Sequence, residues 1–257
     1  MNEEKMFHIH ITREQGARYA LLTGDPGRVA SIASQLDNPA FMAQNREYVT
    51  WAGTLHGERV LVASTGIGGP SAAIALEELH FAGVDTVIRV GTCGGMQTDV
   101  LSGDLILPTG AVRMDGTSAE YTPLSFPAVA HFDVLSALHN NAGVCNRRTH
   151  VGVVQSKDSF YGQHAPETMP IAPALSVQWD ALLRSGVLAS EMECATIFTV
   201  SAVRGIRSGA VLLVVWNQER EKTGLSNPQD FDTNSAAAVA VGALKQMIAA
   251  DRRQRDR

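Results

Sequence analysis

Short apolar runs that end on glycine recur along this chain, and each is followed by apolar residues at helical spacing. Ala20-Leu21-Leu22-Thr23 reads as a buried strand. Gly24-Asp25-Pro26-Gly27 breaks it, and Val29, Ile32, Ala33 and Leu36 then recur with a helical period. Residues 86–90 form a second apolar strand, ending in Gly91-Thr92-Cys93-Gly94-Gly95. Between the two lies the turn Thr65-Gly66-Ile67-Gly68-Gly69, after which Pro70 suits the first turn of a helix running to about residue 82. Alternation of this kind predicts an α/β sheet covered by helices. In such sheets ligands sit at the carboxyl ends of the strands.

The rest of the chain continues the pattern. Residues 47–55 and 59–64 read as two strands joined at His56-Gly57. Short strands are predicted over 104–107 and 110–112, a helix over 133–142 and a strand over 149–154. Residues 158–176, rich in Pro, Gly and polar side chains, read as a long loop of the kind that often serves as a lid. A helix over 193–203, a fully apolar strand over 210–215 and a closing helix over 235–250 follow. Residues 251–257 read as a charged, frayed tail. No linker, low-complexity tract or repeat interrupts the 257 residues, so a single domain over 1–257 is expected.

Charge narrows the partners. The net charge of −5 provides no global basic field for nucleic acid or an acidic membrane, so neither is expected as a partner. An anionic substrate would have to be held by locally placed arginines. Cys93, Cys145 and Cys194 are widely spaced and form no CxxC pair, which argues against a disulfide framework or a zinc site and for a reducing compartment. The N-terminal segment carries Glu3, Glu4 and Lys5 without an apolar core, and no apolar run approaches the ~20 residues that span a bilayer. A cytoplasmic protein is expected.

Several residues carry chemistry. Arg89 interrupts Val87-Ile88-Arg89-Val90, and a buried guanidinium costs several kcal/mol unless paired. Its partner is either a structural carboxylate or an anion held with the donors of Gly91 and Thr92. Arg28 opens a helix, where the dipole favours an anion and not an arginine, as if an anion were held between them. Arg46 alone reads as a surface charge. Gly66-Ile67-Gly68-Gly69 fits neither the dinucleotide fingerprint nor the P-loop, and a tight turn explains it equally well. Glu191-Met192-Glu193 opens a helix; the two acids serve as caps, or one of them accepts hydrogen bonds from a sugar diol.

Taken together, these segments resemble the uridine branch of the nucleoside phosphorylase family, from about Phe7 to the last helix. The matching stretches are Phe7-His8, Gly24-Asp25-Pro26 with Arg28, Arg46-Glu47, Ser64-Thr65-Gly66-Ile67-Gly68-Gly69-Pro70-Ser71 and Arg89-Val90-Gly91-Thr92. Pro123-Leu124, Phe126-Pro127-Ala128-Val129-Ala130, Phe160-Tyr161-Gly162-Gln163 and Glu191-Met192-Glu193 complete the set. The resemblance implies a single-domain mixed β-sheet flanked by helices and the phosphorolysis of a nucleoside, with inorganic phosphate as co-substrate and no cofactor. It implies phosphate contacts from Gly24, Arg28, Arg89 and Thr92, joined by Arg46 of a neighbouring subunit. Met192 and Glu193 would hold the ribose, with His8 reaching its 5′-hydroxyl across an interface. Arg89 and Glu193 would be the catalytic pair. Phe160, Gln163 and Gln218 would face the base. Glu47, Ile67 and Ser71 match positions that bind a monovalent cation such as K+ at a dimer interface. The assembly implied is a homodimer, or a homohexamer of three dimers.

Two departures bear on the base. The uridine branch carries an arginine two residues after the base-binding glutamine, where Ala165 stands here, and a second where Gln218 stands. His164, Gln218 or Arg220 are the candidates to replace them. The alternatives are a phosphorylase of another pyrimidine or of a purine, with Asn217 pairing with a 6-oxopurine edge, a nucleoside hydrolase, and a noncatalytic nucleoside-binding relative.

Overall fold

A computed structural model describes residues 4–255. Along the chain come β1 (Tyr19–Thr23), α1 (Val29–Ala33), β2 (Asp37–Asn45), β3 (Tyr48–Leu55), β4 (Glu58–Ser64), α2 (Gly69–Phe81) and β5 (Thr86–Gly95). Then follow β6 (Leu105–Met114), α3 (Thr117–Tyr121), β7 (Ala128–Val129), α4 (Phe132–Asn141), β8 (Thr149–Lys157) and α5 (Phe160–His164). The last part holds α6 (Ala172–Arg184), β9 (Ala189–Glu191), α7 (Cys194–Arg204), β10 (Arg207–Asn217), α8 (Gln218–Lys222) and α9 (Asn234–Arg255).

The strands make one mixed sheet in the order β10-β6-β8-β9-β5-β1-β4-β3-β2, with β7 on β6. β10 also pairs with β5, so the β10-β6-β8-β9-β5 portion closes on itself like a small barrel. β1 runs parallel to β4 and β5, and β5 parallel to β10. Both faces of this centre are covered. Ala20 and Leu22 pack in one cluster with Leu76 and Leu79 of α2 and Phe198 of α7. Tyr19 and Leu21 point the other way, toward Val134 of α4 and Val239 and Leu244 of α9. Burial on both faces is why the central strands read as unbroken apolar runs. The single-domain α/β architecture expected from the alternation is the one observed.

Four local expectations change. The strands expected over 104–107 and 110–112 are one strand, β6, whose register against β8 shifts between Pro108 and Gly110. A proline there has no N–H for the ladder, so the strand bulges rather than ends. Residues 158–176 are not one long loop: they contain α5, a 3-10 turn at Pro166–Thr168 and the start of α6. Ser159 caps α5 by accepting the Gly162 N–H at 2.9 Å, and a proline lies in the first turn of α6, so these residues act as helix starts. The frayed tail is in fact the end of α9, and Asp251 is buried there. Its carboxylate accepts Tyr19 Oη at 2.7 Å and Arg207 at 2.6 and 2.9 Å. Finally, α7 begins at Cys194 rather than Glu193, with Glu191 in β9. Glu3 and residues 256–257 lie outside the described residues.

Candidate active site

A cavity of about 910 Å³ opens where the central strands end. The turn after β1 contributes Gly24, Asp25 and Arg28; β5 contributes Arg89 and Gly91 to Gly94; β8 ends in it with Lys157; β9 and the residues after it contribute Ser190 to Glu193. Val215 and Trp216 of β10 and Phe160, Gln163 and His164 of α5 complete this part of its wall. The volume lies within the range usual for small-molecule sites.

Arg89 dominates one end. It is 3% exposed, and Nη2 donates to Glu193 Oε2 at 2.5 Å and lies 3.4 Å from Glu191 Oε2. Burial works against its charge, but the Glu193 and Glu191 carboxylates outweigh burial and hold it firmly protonated. Nε and Nη1 are buried without a hydrogen-bond partner. The structural alternative holds for one nitrogen, and the other two are donor atoms without a protein partner. The backbone makes room for the group. A Cβ on Gly91 would lie 2.8 Å from the guanidinium carbon, and one on Gly24 would lie 3.2 Å from the Gly66 carbonyl and 4.0 Å from Nη1. Arg28 stands on the same rim, 3.6 Å from Asp25, and Thr92 follows on β5.

The two glutamates divide their tasks. Glu191 accepts the backbone N–H groups of Glu193 and Cys194 at 2.9 and 3.0 Å and a short hydrogen bond from Ser156 Oγ, which caps α7. Glu193, which lines the cavity as Glu191 does, accepts the Gly68 N–H through Oε1 at 2.6 Å. Burial pushes its carboxyl up, while Arg89 and the Gly68 N–H pull it back toward the ionised form. Each oxygen keeps a lone pair for a further donor. Met192 lines the cavity between them.

At the other end Gln163 is held from both sides. Its Oε1 accepts Ser190 Oγ at 2.7 Å, and its Nε2 donates to Gln218 Oε1 at 3.0 Å. Gln218, expected from the sequence to face the base, holds Gln163 and lies outside the lining of this cavity. The other expected substitutes fare differently. Arg220 spends its guanidinium on the carbonyls of Ser226 at 2.8 Å and Thr98 at 2.6 Å, away from the cavity. Asn217 is fully buried, donates to the carbonyls of Gln97 and Val100, and caps α8, so its amide is not free to read a purine edge. His164 does line the cavity, 4.3 Å from the Phe160 ring centroid and 5.7 Å from that of Trp216. Burial and the Lys157 charge push its pKa down, favouring the neutral imidazole.

Lys157 escaped the reading of the sequence. Its side chain is buried on the cavity wall, and Nζ donates to Ser190 Oγ at 2.9 Å. Burial pushes the ammonium down to about 8, against the pull of Glu191 and Glu193. No apolar run surrounds Lys157 as one surrounds Arg89: it follows the polar Gln155-Ser156, beyond the strand expected over 149–154.

His8 and Arg46 lie outside the lining of this cavity. His8 Nδ1 is 2.6 Å from Glu78 Oε1, and Glu78 also accepts the backbone N–H groups of His8 and Ile9. Arg46 is exposed in the turn between β2 and β3, with φ of 52°. Glu47 and Ser71 meet at 3.0 Å on the cavity rim, beside Ile67, which is 77% exposed. No cluster of three or more His, Cys, Asp or Glu suited to a metal exists among the described residues.

Comparison with known proteins adds the chemistry. Residues 18–249 match the family described as the phosphorylase superfamily. The chain is 49% identical over 245 residues to a uridine phosphorylase of Treponema pallidum, covering 95% of each chain. It is 38% identical to a uridine phosphorylase of Escherichia coli, over 96% of this chain and 100% of that one. A guanosine phosphorylase of Halorubrum lacusprofundi is 36% identical, over 90% of this chain and 95% of that one.

Proposed function

The chain belongs to the phosphorylase superfamily, and we propose that it cleaves uridine with inorganic phosphate to give uracil and ribose 1-phosphate. The observation that carries phosphorolysis is Arg89, which lines the cavity and whose Nε and Nη1 are buried donors without a partner. Buried donors of a charged group are costly to leave unpaired, and a phosphate dianion satisfies them with charge-assisted bonds. A hydrolase, using neutral water, has no need of such a clamp.

The reaction follows from this arrangement. Arg28, Arg89, Thr92 and the open backbone at Gly24 hold phosphate, with Arg46 added from a neighbouring subunit. Glu193 accepts hydrogen bonds from the ribose hydroxyls, Met192 packs against the sugar, and His8 of the adjoining subunit reaches its 5′-hydroxyl. Phe160 and Gln163 take the base. Holding phosphate beside the anomeric carbon makes its attack effectively unimolecular. The C1′–N1 bond breaks with its electron pair on the pyrimidine while a phosphate oxygen bonds to C1′. The sugar passes through an oxocarbenium-like state that the phosphate dianion stabilises. No cofactor is needed, because both electrons of the broken bond leave with the base.

Two further features belong to this reading. Glu47, Ser71 and the backbone near Ile67 offer hard oxygen donors suited to K+; one chain supplies only part of a coordination shell, so the ion fits between two copies. The working unit is then a dimer, or three dimers. A cytoplasmic location accords with three cysteines that are all unpaired.

The deciding experiment is a nucleoside panel with and without phosphate, detecting free base and ribose 1-phosphate. Uridine should react only with phosphate or arsenate. Equal base release without either anion overturns phosphorolysis, and tight nucleoside binding without turnover identifies a binding protein. Preferential turnover of inosine or guanosine would favour the purine reading, which the Halorubrum guanosine phosphorylase keeps within reach.

A further inference from the structure

We infer that Lys157 is the cation of the base site, placed to meet a carbonyl oxygen of the pyrimidine and the negative charge it gains as it leaves. This rests on the uridine reading. A pyrimidine leaving as an anion needs a charged donor, yet the residues at the two expected arginine positions are Ala165 and Gln218. The nearby candidates do not supply the charge: Arg220 is bound to the carbonyls of Ser226 and Thr98, and burial beside Lys157 disfavours a charge on His164. Lys157 is left. It ends β8 on the cavity wall, 6.0 Å from the Phe160 ring centroid, and joins no ion pair among the described residues. An ammonium carries three N–H donors, and one of them goes to Ser190. A lysine kept only for structure would have a carboxylate partner; this one faces the space that Gln163 lines.

The same lysine fixes the direction in which Gln163 reads the base. An ammonium can only donate, so Ser190 Oγ must accept from Lys157. Its own hydrogen then goes to Gln163 Oε1 at 2.7 Å, which turns Nε2 toward Gln218 Oε1. The glutamine amide is thereby locked, with a spare lone pair and a spare N–H for the imide edge of uracil. During cleavage Lys157 stays protonated and donates a hydrogen bond; the pyrimidine takes its proton from solvent after it leaves.

The test compares Lys157→Met and Lys157→Gln with the parent enzyme on uridine and on 5-fluorouridine, whose base carries negative charge more easily. Glutamine retains a donor for Ser190 but no charge, and it serves if the methionine variant fails to fold. We expect kcat/KM for uridine to fall roughly 10- to 100-fold, mostly in kcat. The fall should be smaller for 5-fluorouridine, with the KM for phosphate unchanged. A folded variant that loses less than about threefold, or loses equally on both nucleosides, overturns the inference while uridine phosphorolysis stands. A parent enzyme that releases no uracil in phosphate overturns the uridine reading and this inference with it.

Discussion

At the scale of single residues, the site is organised by buried charges whose pairing is left incomplete. Arg89 gives one nitrogen to Glu193 and keeps two donors free. Arg89→Ala should therefore act twice. It removes charge-assisted bonds to phosphate, so the KM for phosphate should rise and kcat/KM fall by about 100-fold or more. It also strands Glu193, and breaking a buried pair costs about 3–5 kcal/mol, which a lowered unfolding midpoint in urea would register. Unchanged phosphate kinetics would remove Arg89 from the site. Glu193→Gln approaches the same pair from the other side: the amide oxygen can still accept the Gly68 N–H, but the charge that faces Arg89 and the ribose is lost. Its kcat/KM for nucleoside should fall roughly 10- to 100-fold, and its unfolding midpoint in urea should also drop, because Arg89 then keeps only the more distant Glu191 as a counter-charge; paired kinetic and denaturation measurements test both. Arg89 was legible in the sequence because a guanidinium in an apolar run demands an explanation. The division between Glu191 and Glu193 was not, since either acid of Glu191-Met192-Glu193 could serve a helix cap, and only the folded backbone puts Glu191 on the N–H groups of Glu193 and Cys194 and Glu193 on Gly68 and Arg89. The contact between Gln218 and Gln163 is hidden for a similar reason: a position after the last strand says nothing of a partner 55 residues earlier in the chain.

At the scale of elements, the glycine turns at the strand ends were legible, because an apolar run followed by glycine and a helical period admits few structures. The site's scaffold of β1, β4, β5 and α2 follows from that signal. What escaped were elements whose partners are distant in sequence. β2 is an exposed edge strand containing Pro39, so neither apolar alternation nor β-propensity marked it. The C-terminal part of α9 carries so many charges that it read as a tail, whereas Asp251 is held by Arg207 and Tyr19. This cluster makes a prediction about pH. The hydrogen bond from Arg207, opposed by burial, holds the Asp251 carboxyl below its ordinary range. A depressed folded pKa contributes stability that is present above the unfolded value of about 3.9 and lost as pH falls through the folded one. Asp251→Asn should thus be less stable than the parent by about 1–3 kcal/mol at pH 7, with the gap narrowing below about pH 4. Urea unfolding at both pH values gives the comparison; a gap that is constant with pH would show that the charge contributes nothing.

At the scale of the whole molecule, one chain builds a cavity with an open side. Arg46 and His8 carry motifs that the resemblance assigns to the site, yet both lie outside the cavity lining of their own chain. His8 cannot simply swing inward without giving up Glu78, which holds its ring and its backbone N–H together. Large apolar side chains are exposed on these segments, Phe7 at 75% and Ile67 at 77%. A second copy related by a two-fold axis would cover such residues and exchange Arg46 and His8 between two sites. The consequence can be measured by complementation. Arg46→Ala and Arg89→Ala protomers should each form weakly active homodimers. In a mixed dimer, one site combines the intact Arg89 of one protomer with the intact Arg46 of the other, and the second site lacks both. Random exchange in equal mixture should therefore restore about one quarter of the sites to full function. Unfolding and refolding the two variants together, then assaying phosphorolysis, would reveal that recovery against the same variants refolded apart. Activity no greater than the average of the separate preparations would mean that Arg46 serves its own chain or none, and a fully active monomer in sedimentation would remove the shared site altogether.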